Sequence, residues 1–255
     1  MKRDSFHHDG LTFSYLDSGG DRPVLLCLHG HFMGASDFDG VMPHFTDRWR
    51  VVALDQRGHG RTDHTRHHSI DAYIGDVAAL LDHLWISDPV VILGHSWGGA
   101  VAYLCAAAQP ARFRAMIVEE MSVVRDDHDD FALAWAGVHA DKAQLEAKIG
   151  PRLTPYMQKS IRQVEGGWAM TFDPEEILWS EAELNGDHWK AWLGSTCPAL
   201  IVKGAHSPVV PGADLDDMAR RRPNTKIVTI DAGHSVHIDQ PGAFVAAVKD
   251  FLGGL

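Results

Sequence analysis

Cysteine is scarce. Three occur in 255 residues, Cys27, Cys105 and Cys197, far apart and odd in number. That excludes a disulfide framework and suits a reducing cytoplasm. No apolar run approaches the ~20 residues needed to span a bilayer. The opening residues, Met1 to His8, hold no apolar stretch of the kind a secretory signal carries, so a cytoplasmic location is expected. Basic residues are the minority: 23 Lys and Arg stand against 34 Asp and Glu, a formal charge of −11. Such a chain repels phosphate backbones, and neither a nucleic-acid nor a membrane partner is expected. The sequence lacks H-E-x-x-H, C-x-x-C and any G-x-G-x-x-G opening a helix, so no metal and no cofactor are expected. Repeats and low-complexity tracts are also missing.

What is present reads as a globular α/β chain. Apolar residues make up 45% and charged residues 22%, ordinary usage for a packed domain and unlike a disordered one. Leu11–Asp17 alternates like a half-exposed strand. Short runs apolar on both faces recur at 24–28, 50–54, 90–93, 116–118, 199–202 and 226–230, as buried parallel strands do. Between them, 70–84 repeats its apolar residues at spacings of three and four, and 98–108 is small and apolar nearly all round. A final helix is expected at 242–252. Alternating β and α elements predict a mostly parallel, doubly wound sheet covered on both faces. Residues 121–193 differ: five tryptophans and several methionines sit among acidic, helix-like segments. This predicts one domain, a core of 1–120 and 194–255 carrying a helical lid inserted at 121–193.

The sharpest signal is Gly94-His95-Ser96-Trp97-Gly98-Gly99, a G-x-S-x-G between a buried strand and a small-residue helix. A serine on so tight a turn projects its hydroxyl above the sheet, and flanking glycines remove side chains that would collide. The N–H of Trp97, at a helix N-terminus, is placed to stabilise a developing oxyanion. Without its context the motif would be a glycine-rich turn with an inert serine. Ser96 as nucleophile needs a general base, and imidazole titrates near working pH. Of 17 histidines, His234 follows the last expected strand, where open α/β sheets gather reactive groups. Gly233 is expected to let the chain turn there. His237 is the rival, or else a packed, hydrogen-bonded ring. The His64, His67 and His68 cluster reads as a surface loop with fortuitous metal affinity.

Leu28-His29-Gly30, the run Asp55-Gln56-Arg57-Gly58-His59-Gly60, the Ser96 elbow and Gly233-His234 occur in an order and spacing that resemble the α/β-hydrolase superfamily over nearly the whole chain. The resemblance implies a serine hydrolase acting on a small-molecule ester, lactone or amide. It implies a second oxyanion N–H from His31, with Phe32 the neighbouring alternative, and a structural turn at 55–60. The third triad member departs from the commonest family pattern. The loop after the penultimate strand reads Gly204-Ala205-His206-Ser207-Pro208, with Ser207 where many relatives carry the acid. A group of relatives takes it instead from the end of the strand after the elbow helix, which implies Glu120 here. Period-2 alternation points Glu119 the other way. Asp214, Asp216 and Asp217 are weaker rivals.

Alternatives are a carbon–carbon bond hydrolase, a cofactor-free dioxygenase acting on an N-heteroaromatic substrate, and a non-catalytic receptor. Phe32, His95, Trp135 and Trp168 are the pocket candidates for a substrate with an apolar or aromatic part. The plainer reading of the lid aromatics is packing. Arg125, Arg152 and Arg162 are the lid residues able to clamp a carboxylate.

Overall fold

A computed structural model describes all residues, 1–255. Eight strands form one sheet: β1 (Lys2–His8), β2 (Leu11–Asp17), β3 (Val24–Leu28), β4 (Arg50–Asp55), β5 (Val90–His95), β6 (Phe113–Glu119), β7 (Ala199–Gly204) and β8 (Thr225–Ile230). Their spatial order is β1-β2-β4-β3-β5-β6-β7-β8. β1 and β2 run antiparallel to their neighbours, and β4 through β8 are parallel.

The continuous apolar strands work by alternation. Leu26 and Leu28 of β3 and Ile92 of β5 enter one hydrophobic layer. Leu25 and Cys27 of β3 and Val91 and Leu93 of β5 enter the other. Helices cover both faces, so every residue of β3 and β5 is buried. The first layer packs on α1 (Ile70–His83) and α2 (Trp97–Ala108). Ser69 caps α1 by accepting from the N–H of Ala72 at 3.2 Å. The second layer packs on the C-terminal helix Pro241–Gly253 through Phe244, Val248 and Phe251.

Two elements depart from expectation. β1 is a strand paired along its length with β2 around Asp9-Gly10, both at positive φ. The Asp-Gly pair supplies the positive φ values that a tight hairpin turn demands. The inserted segment is also not purely helical. Besides α3 (Lys142–Ile149) and α4 (Pro174–Leu184), it holds a hairpin of Ile161–Val164 with Gly167–Met170. Gly166, at φ 83°, supplies the turn. The segment buries its own small cluster, including Trp135, Leu145, Met170 and Ile177.

Candidate active site

Ser96 lies between β5 and α2 with φ 50° and ψ −124°, a conformation costly for a residue with a Cβ. The flanking glycines are required by crowding. A Cβ on Gly94 would lie 2.0 Å from the Gly98 carbonyl oxygen, and one on Gly98 would lie 2.2 Å from that of Leu28. The Ser96 N–H donates to the Glu119 carbonyl at 2.8 Å, tying the elbow to the end of β6. Its hydroxyl makes no hydrogen bond within the protein and faces a cavity of about 320 Å³.

His234 faces the same cavity from the loop after β8. Its Nδ1 lies 3.3 Å from Oε2 of Glu120. Glu120 is fully buried, and its Oε1 accepts the N–H of Gly204 at 2.7 Å. Its backbone, at φ 53°, leaves β6 with its own N–H donating to Val202. The rivals lie elsewhere. Asp216 pairs with Lys203 at 2.8 Å, Asp217 pairs with Arg220 and Arg221, and Asp214 makes no side-chain contact with His234. Ser207 turns its hydroxyl to the N–H groups of Val209 and Val210. His237 does not reach the cavity: its Nδ1 is 2.9 Å from both Glu119 oxygens. Gly233 turns the chain without a positive φ. Its carbonyl would lie 2.0 Å from a Cβ on Gly204, and its N–H donates to Asp239 at 2.8 Å. The glycine at 204 is therefore the one that admits the loop.

The backbone N–H groups of His31 and Trp97 donate to no protein group, and both residues line the cavity. Their rings stack with centroids 4.2 Å apart. Nε2 of His31 is 2.8 Å from the Ser180 hydroxyl, which itself donates to the carbonyl of Ile177. Burial holds His31 and His95 well below the ordinary imidazole range, so both rings are neutral.

Phe32 and His95 line the cavity, but Trp135 and Trp168 do not. This corrects their assignment as pocket residues. Trp135 is buried in the inserted segment with its ring edge-on to Phe32 at 5.2 Å, and Trp168 lies on the hairpin beneath Lys142. Apolar lining comes instead from Met33, Met121, Phe131, Leu153, Met157 and Val209. Apart from Leu153 and Met157, which share one helical turn, these sit on separate segments. Arg125 lines the cavity but forks onto Asp127, Arg162 reaches the Gly60 carbonyl, and Arg152 lines the cavity with no carboxylate partner.

Two clusters place histidine and carboxylate ligand atoms within 4.8 Å of one another: His95, Glu119 and His237, and His31, Asp129 and Glu181. In the first, Glu119 is already engaged by His237. In the second, burial and the neighbouring Asp129 push Glu181 up to about 8. In the His64 group, His64 and His68 both approach the Glu176 carboxylate. His64 pairs with Glu176 at 3.1 Å, and His68 is buried beside Tyr73.

The chain belongs to the alpha/beta hydrolase family, whose sequence model matches residues 25–248, and is an enzyme of that class. It is 27% identical over 270 residues to the sn-1-specific diacylglycerol lipase ABHD11 of Danio rerio, covering 95% of this chain and 82% of that protein. It is also 27% identical over 249 residues to the 2-(acetamidomethylene)succinate hydrolase of Mesorhizobium japonicum, covering 91% and 89%. Among solved structures, E-2-(acetamidomethylene)succinate hydrolase superposes with a TM-score of 0.86 at 24% identity, over 99% of this chain and 100% of that one. The enol-lactonase of Burkholderia xenovorans LB400 gives 0.82 at 20% identity, over 98% and 100%. Both share the fold.

Proposed function

We propose that the protein is a cytoplasmic serine hydrolase that cleaves a small-molecule carboxylic ester, lactone or amide through an acyl-enzyme on Ser96. The observation that carries this reading is that Ser96, in its strained elbow, shares one cavity with His234, whose far nitrogen is backed by the buried Glu120. His234 Nε2 takes the hydroxyl proton as Ser96 Oγ attacks the substrate carbonyl. Glu120 accepts from Nδ1, fixing the tautomer and stabilising the imidazolium. The free N–H groups of Trp97 and His31 receive the oxyanion; one such donor is worth roughly 10²–10³ in turnover. The imidazolium then protonates the leaving group, and His234 deprotonates the water that releases the acid.

Ser96 and His234 are not hydrogen-bonded in this resting geometry. Such contacts are commonly long before substrate arrives. Residues 121–193 act as the lid, supplying Phe131, Leu153 and Met157 to an apolar acyl site. Arg152 is the cavity guanidinium available to an acidic substituent. The relatives' names support hydrolysis of carbonyl substrates of varied size. A panel of nitrophenyl esters and lactones, neutral and carboxylate-bearing, tests the reading: turnover must disappear in Ser96→Ala. Oxygen uptake on substrate addition, with no hydrolysis, would replace it with dioxygenase chemistry.

A further inference from the structure

Glu119 at the end of β6 and Glu120 just after it take hold of one turn. Glu120 engages the His234 ring, while Glu119 accepts the backbone N–H of His237 at 2.8 Å and its Nδ1 at 2.9 Å. A third hold comes from the elbow: Nε2 of His95 lies 3.0 Å from the His234 carbonyl oxygen. A carbonyl can only accept, so Nε2 carries the His95 proton. The ring is neutral, and Nδ1 is then a lone pair. No group donates to that nitrogen, which is buried against Gly30, where a Cβ would come within 3.1 Å. The single hydrogen bond of His95 is thus spent on the backbone of His234. The ring sits between those of His234 and His237, with centroids 4.9 Å and 5.0 Å away.

A buried nitrogen without a partner costs stability. An apolar side chain of similar size would avoid that cost. The one hydrogen bond that His95 makes within the protein goes to the His234 carbonyl, and an apolar side chain at 95 would lose it.

We propose that His95 and the Glu119–His237 pair are positioning residues: His95 holds the His234 carbonyl and Glu119 holds the His237 N–H three residues on, so that the turn between them keeps the His234 ring aligned between Ser96 and Glu120. This rests on the reading of His234 as general base. The clamp joins the elbow, the end of β6 and the loop after β8, so the three groups of the proposed triad share one rigid frame.

The test compares full-length wild type, His95→Leu, His95→Gln and Ser96→Ala by kcat and KM on a short-chain nitrophenyl ester, by thermal midpoint, and by NMR of the His234 Nδ1 proton. His95→Leu is expected to lower kcat roughly 10–100-fold with KM little changed. Its Tm should be equal or higher, and the Nδ1 proton signal should broaden. His95→Gln, whose amide N–H reaches the place of the imidazole Nε2–H, should recover most of the loss. Wild-type kcat and an unchanged Nδ1 signal in His95→Leu would overturn the proposal. So would parallel losses of kcat and Tm that glutamine does not rescue. Turnover surviving in Ser96→Ala would instead overturn the nucleophile assignment, and the NMR comparison would still decide the clamp.

Discussion

Oε2 of Glu120 lies 3.3 Å from Nδ1 of His234, across 114 residues of chain. The contact is built from the backbone outward. Glu120 turns out of β6 at φ 53°, its own N–H is bound to Val202, and its second oxygen is fixed by Gly204. The carboxylate has no freedom to serve another partner. Glu120→Gln should keep the fold and lower kcat roughly 10²–10⁴-fold, the range that acid–base contributions span. Asp214→Asn should leave kcat unchanged. Steady-state kinetics on both variants checks the assignment, and a reversed pattern would move the acid to the loop after β7.

The elbow glycines give a stability prediction. At Gly98 an added methyl meets the Leu28 and His29 backbone, which cannot rotate away. Gly98→Ala is expected to cost about 1–3 kcal/mol. Gly242, with nothing near its Cβ position, should tolerate alanine. Chemical denaturation of the two variants measures the difference.

Aromatic residues of the inserted segment divide by role. Trp135 is enclosed by Phe32, Phe131 and Phe172 and stays out of the cavity. Trp135→Ala should cost about 3–5 kcal/mol. Phe131, half exposed at the cavity, should raise KM when truncated while leaving Tm nearly unchanged. Equal effects of both on KM would restore Trp135 to the pocket.

Protonation sets a window of stability. Burial holds His29, His31, His59 and His95 below the ordinary imidazole value of 6.5, His59 at about 3. Below pH 6.5 the unfolded chain binds protons the folded one refuses, so stability falls as pH drops. Glu181 works in the opposite sense. Burial and Asp129 raise it from 4.5 to about 8, so between those values the folded state holds the extra proton and stability declines as pH rises. From 4.5 to 6.5 the four histidines outweigh Glu181 and Asp37, whose carboxyl burial raises to about 6. The thermal midpoint should therefore peak near pH 6.5 and decline toward pH 8. Glu181→Gln should flatten the alkaline side; an unchanged slope would contradict the raised Glu181 carboxyl.

Much of this was legible in the residues. The strands at 11–17 and 24–28 match the structure to the residue, because alternation and fully apolar runs state burial directly. Turn chemistry and a place after strands single out Ser96 and His234, and the two line one cavity. The assignment to Glu120 needed the family resemblance, since two adjacent glutamates look alike until the backbone kink after β6 separates them. The cavity wall was not legible. Met121, Leu153 and Val209 meet only through tertiary packing, whereas Trp135 drew attention by size and proved to be core. The hold of His95 on a distant carbonyl likewise has no local signature.

The most direct test of the central claim is covalent labelling. The purified protein is treated with a fluorophosphonate probe and the adduct is mapped by peptide mass spectrometry, alongside Ser96→Ala and His234→Ala. The account predicts one adduct, on Ser96, absent in Ser96→Ala and formed far more slowly in His234→Ala. An active protein with no adduct at Ser96, or labelling at Ser96 indifferent to His234, would contradict it.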